Sequence, residues 1–135
     1  IQTFDPENYA IQCAVNHDYT GFYEQELEMR RELGYPPFST LVSVLSRDAD
    51  ERAAKAKLQS FTAAVRSAPM SDRRGVELIG PHPAVLAKLR GEYRWHLVLR
   101  SQDRDTVLNL VRMVLDADAE LRRNVIVDVD PASML

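Results

Sequence analysis

The chain has 135 residues, 45% of them hydrophobic and 27% charged, with a formal net charge of −3. That is enough for one ordinary globular domain with a short appendage, and too apolar for a disordered chain. No apolar run approaches the roughly 20 residues that span a bilayer, and the single Cys13 excludes an internal disulfide and suits a reducing compartment, so a cytoplasmic protein is expected.

The chain opens Ile1-Gln2-Thr3-Phe4 without an initiator methionine, so a piece of a longer polypeptide is expected. Residues 1–17 show a turn at Asp5-Pro6 but no period, and are expected to be irregular. Residues 18–33 then read as an amphipathic helix, with Tyr19, Phe22, Tyr23 and Leu27 at helical spacing and Asp18 as N-cap. Gly34 and Pro36-Pro37 end it.

Residues 39–47, STLVSVLSR, are β-branched or apolar on both parities, the pattern of a central strand. Asp48 and Glu51 resemble a capping box for a helix over about 49–67 that places Ala54, Leu58, Phe61 and Val65 on one stripe. A loop over 69–75 leads to a second strand, 76–79 and 84–90, interrupted at Gly80-Pro81-His82-Pro83. Gly91-Glu92 turns the chain into a third strand, 93–100. A helix over about 103–121 turns Val107, Leu110, Val111, Val114 and Leu121 inward, and 124–130 alternates as a last strand, with Val125, Val127 and Val129 on one side. The order βαββαβ predicts an α+β fold: a ferredoxin-like two-layer sandwich of a four-stranded antiparallel sheet and two helices, preceded by an extra N-terminal helix.

Little in the sequence points to catalysis. The five glycines are scattered singly, with no phosphate-binding loop. His17, His82 and His96 are far apart and have no second cysteine to join them, so no metal site is expected. Asp128 and Asp130 read as a solvated pair or as partners for arginines on neighbouring strands. No residue is assigned a catalytic role.

Charge is unevenly spread. Residues 1–34 hold seven acids and two arginines, whereas residues 82–104 hold Lys88, Arg90, Arg94, Arg100 and Arg104 against Glu92 and Asp103. In the third strand Tyr93, Trp95, Leu97 and Leu99 share the core parity, leaving Arg94, His96 and Arg100 on the other. With Lys88 and Arg90 just before the turn, these cations suit a phosphate backbone or an acidic peptide. With the aromatics turned inward, any nucleic-acid contact is electrostatic and does not read sequence. The competing reading is a solvated face paired with Asp128 and Asp130. Arg104, opening the last helix, is either a plain surface arginine or one donor of an anion site at that helix N-terminus.

The runs QTFDPENYAIQ (2–12), HDYTGFYEQELEMRRELGYPPF (17–38), GPHPAVLAKLRGEYRW (80–95) and DVDP (128–131) together resemble the C-terminal part of the primosomal protein N′ (PriA) family of replication-restart DNA helicases. The resemblance implies a parent that is an ATP-dependent 3′→5′ helicase with an N-terminal DNA-binding domain, two helicase lobes and a zinc-binding insertion. Residues 1–17 would be the tail of the second lobe and a linker. Residues 18–135 would be the C-terminal domain, a helix at 18–33 followed by the βαββαβ unit at 38–131. ATP with magnesium, and zinc, would belong to parts outside this chain, which would not itself be an enzyme. The implied partners are single-stranded and forked DNA, the acidic tail of single-stranded DNA-binding protein and other primosome proteins, with no membrane, in the bacterial cytoplasm at nucleoid-associated replication forks. Lys88, Arg90, Arg94 and Arg100 would touch DNA, and Arg104 would take the acidic tail. Arg94 and Trp95 fall on the family's arginine–aromatic strand, while His96 stands where glutamine is common. Two rivals stay open: a purely architectural domain packed on the helicase lobes, and a ferredoxin-like small-molecule regulatory domain.

Overall fold

A computed structural model describes residues 1–132. The chain divides into two compact units, Ile1–Phe38 and a larger one beginning at Ser39.

The first unit is a helical pair, α1 (Tyr9–Val15) and α2 (Tyr19–Leu33). The region expected to be irregular thus holds a helix. Its side-chain signal is Asn8, which caps the backbone N–H of Ala10. Asp18 caps α2 through the N–H of Gly21, and Gly34 closes it at φ 62°. The pair is joined by the stacked rings of Tyr9 and Phe22, and by the Tyr9 hydroxyl, which donates to Glu26. Glu26 in turn accepts from Arg30, and these two donors hold its carboxyl below the ordinary range. The expected apolar stripe of α2 is not a core face. No residue of α2 is buried, and Tyr19 and Tyr23 stand in solvent.

The second unit runs β1 (Thr40–Asp48), α3 (Glu51–Ser67), α4 (Met70–Arg73), β2 (Glu77–Leu89), β3 (Glu92–Ser101), α5 (Arg104–Ala117), α6 (Ala119–Asn124) and β4 (Val125–Val129). Its four strands form one open sheet in the order β2-β3-β1-β4, antiparallel throughout. The fold is α+β and compatible with the expected two-layer sandwich. Val42 and Val44 of β1, Leu97 and Leu99 of β3, Leu58 and Phe61 of α3, and Val107 and Leu110 of α5 are essentially inaccessible and form one core. Each such side chain contributes about 1.5–3 kcal/mol through burial. The odd positions of β3 and the valines of β4 take the core side, as the alternation predicts.

Four boundaries differ from expectation. Asp50, not Asp48, caps α3, through the N–H of Arg52. Asp48 instead accepts from the Asp50 N–H and from Lys57 Nζ at 2.7 Å, and these two contacts hold its carboxyl low. The loop after α3 contains the single turn α4. β2 is one strand with two register irregularities, not two pieces. The last helix is broken at Asp118, whose side chain caps Glu120 and Leu121 and starts α6.

Candidate nucleic-acid interface at the hairpin end

The antiparallel sheet gives the second unit two distinct ends. One gathers the β2–β3 turn, the end of β1 and the start of α3; the other gathers the starts of β1, β2 and α5 and the end of β4. The β2–β3 turn is a two-residue loop, Arg90-Gly91, between the paired Leu89 and Glu92. Both loop residues have positive φ, 51° and 88°, the requirement of a type I′ turn that matches the twist of the flanking strands. Gly91 meets that requirement freely. Arg90 adopts it against its preference, which fixes the register and leaves its side chain exposed at the tip.

That register separates the cations the sequence had grouped. Lys88 pairs with Tyr93, so it stands on the core-side face of the sheet, the face of Trp95. Arg94, His96 and Arg100 stand on the opposite face. On that opposite face the basic residues are not alike. Arg100 donates from Nε (2.9 Å) and Nη2 (2.6 Å) to one carboxylate oxygen of Glu77. Arg94 lies opposite Arg47 of β1, an unfavourable like-charge pairing, with Glu92 3.8 Å from the Arg47 guanidinium. His96 is 4% exposed, opposite His82 on β2 and Leu45 on β1. Burial first, then Arg94 and His82, push its imidazole below the ordinary histidine range, so it adds no charge near neutral pH. Gly80 permits this arrangement: at φ 107°, a Cβ there would lie 2.9 Å from the His96 carbonyl oxygen.

The core-side face of the hairpin end is different. Lys88 Nζ sits 4.5 Å from the Tyr93 ring centroid and 3.3 Å from its hydroxyl. Lys55, one turn into α3, places its Nζ 5.2 Å from the Trp95 ring centroid. Arg52 lies at the start of the same helix and Arg90 at the turn. None of these four has a carboxylate partner among the described residues. Lys57 does have one, Asp48. The sequence reading missed Arg47, Arg52, Lys55 and Lys57, which sheet pairing and helix packing bring to the hairpin from some 40 residues away.

Arg104 is at the other end, the first residue of α5. Its guanidinium donates to Asp130, whose other oxygen accepts the Leu41 N–H at 2.9 Å. The helix N–H groups there are already capped by Asp103, which bonds Asp105 and Thr106. The Thr106 hydroxyl and these N–H groups hold the Asp103 carboxyl low. Asp130 therefore pairs with Arg104 of α5, and not with an arginine of the sheet face, which the competing reading expected.

Among the described residues no three His, Cys, Asp or Glu side chains gather as a metal-ion group, and no helix is long and apolar enough to cross a membrane.

The profile described as the C-terminal domain of primosomal protein N matches residues 31–132. The replication restart protein PriA of Treponema pallidum is 36% identical over 137 residues, covering all of this chain and 20% of that protein. The PriA of Thermotoga maritima is 35% identical over 134 residues, 99% of this chain and 17% of its own length. The chain thus spans about a fifth or less of the relatives it matches. On the extent of these matches, the chain belongs to the family of primosomal protein N C-terminal domains.

Proposed function

We propose that this chain serves a bacterial, cytoplasmic replication-restart helicase as a non-catalytic accessory domain that holds single-stranded or forked DNA by its phosphates. The observation that carries the reading is the set of cations without carboxylate partners at the hairpin end, Arg52, Lys55, Lys88 and Arg90, on a chain whose net charge is −3. A local positive surface on an acidic protein draws a polyanion to one place. The relatives' name, replication restart protein, supports DNA as that polyanion. ATP hydrolysis and zinc binding fall to parts of the parent outside this chain.

The same reading has the chain assist docking of the acidic tail of single-stranded DNA-binding protein, together with other primosome proteins. Arg104 is the residue this reading assigns to the tail, and an acidic peptide there has to displace the Asp130 carboxylate that its guanidinium already holds. An architectural role suits the far end, where Arg100 and Arg104 are both ion-paired within the unit.

Binding of the chain to labelled single-stranded and forked DNA across a salt series tests the proposal. The expected result is an affinity that falls steeply with salt, with a slope flattened by replacing Lys88, Arg90 and Arg94 with alanine. Absence of binding at low salt, for wild type and variant alike, would refute it and make the acidic peptide the next ligand.

A further inference from the structure

The hairpin carries cations on both faces of the sheet, and a phosphate backbone following one path meets one face. We propose that the phosphates run over the core-side face, with Lys55 and Lys88 as the two central contacts and Arg52 and Arg90 flanking them. This rests on the DNA-binding reading above and assigns it to a surface that includes two α3 residues, Arg52 and Lys55, outside the hairpin.

The first reason is the way these charges are held. An ammonium over an aromatic face is attracted by the ring quadrupole, yet the ring carries no net charge. Lys88 over Tyr93 and Lys55 over Trp95 are thereby restrained in place while keeping a full positive charge for an outside anion. Arg100, on the other face, is already bound to Glu77, and a phosphate there must compete with a carboxylate.

The second reason is spacing. Tyr93 and Trp95 are two residues apart on one strand, so their rings stand roughly 7 Å apart along it. Anchoring points at that spacing suit ammonium groups that take successive phosphates of a single strand. The aromatic planes are covered by these lysines, and Trp95 is only 8% exposed, so the surface offers no ring for base stacking and contact is limited to the backbone.

The test is the salt dependence of binding of the 135-residue chain to a labelled oligothymidylate. Each phosphate contact to single-stranded DNA adds about 0.7 to the slope of log affinity against log salt. K55Q/K88Q, which keeps the side-chain stems over the rings, is expected to reduce that slope by about 1.4, and each single change by about 0.7. K55R/K88R is expected to retain it. R74Q removes one charge from the loop before β2, at the far end, and is expected to leave the slope unchanged. Thermal melts of all variants, expected to match wild type because both lysines are exposed, separate lost contact from lost folding. Wild-type binding with a slope that K55Q/K88Q leaves intact would overturn this assignment alone. Failure of the wild type to bind at all would overturn the DNA-binding reading and this assignment with it.

Discussion

The two ends of the sandwich solve the same electrostatic problem in opposite ways. At the far end the arginines that end β3 and open α5 are matched: Arg100 to Glu77, and Arg104 to Asp130, which also accepts the Leu41 N–H and so ties β4 to β1. At the hairpin end Arg52, Lys55, Lys88 and Arg90 have no carboxylate among the described residues, and two of them are restrained over aromatic rings. Ion pairs within a unit hold its strands together; cations restrained without neutralisation are left for an external anion. The far end is therefore read as held by its own ion pairs and the hairpin end as the surface for DNA.

The strongest way to break this contrast is to remove the core that both ends share. Phe61→Ala, at a fully buried position, is expected to cost about 3–5 kcal/mol in urea unfolding and to abolish the distinction. Asp130→Ala sharpens it. The variant loses the Leu41 hydrogen bond and the Arg104 pair, and is expected to lose about 1–3 kcal/mol of stability while the salt slope of DNA binding stays at its wild-type value. Glu77→Gln, which removes the partner of Arg100 on a partly exposed pair, is expected to cost at most about 1 kcal/mol by the same unfolding measurement.

Acid gives a last, smaller comparison. Burial holds the folded-state pKa of His96 below its ordinary 6.5, so the unfolded chain takes up that proton first as pH falls. The stability tied to a neutral His96 is complete above about pH 6.5 and declines below it. Urea unfolding between about pH 5.5 and 7.5 is expected to show this decline in wild type and a flatter profile in His96→Gln. An identical profile in the variant would assign the decline elsewhere.

Much of the sandwich was legible because strand alternation is local information. The valines of β4 and the odd positions of β3 could be assigned from spacing alone, and they are the core. Helix boundaries were less so, since several Asp residues near one helix start compete as caps: Asp50 prevails over Asp48, and Asp118 breaks a helix whose apolar spacing runs through it. The candidate site was half legible. Lys88 and Arg90 are visible as a basic run, but only the Arg90-Gly91 turn decides that Lys88 faces away from Arg94. Arg52 and Lys55 belong to another element, and their clue was energetic. Cations in the first turns of a helix oppose its macrodipole, which favours acids there, and such a placement asks for an external reason.

The most direct test is an amide chemical-shift map of the labelled chain titrated with a short single-stranded oligonucleotide. The account predicts the largest shifts at Arg52–Lys55 and Lys88–Trp95, with Glu77 and Arg100–Arg104 unmoved. Shifts centred on Arg100 and Arg104, with the hairpin end silent, would contradict it.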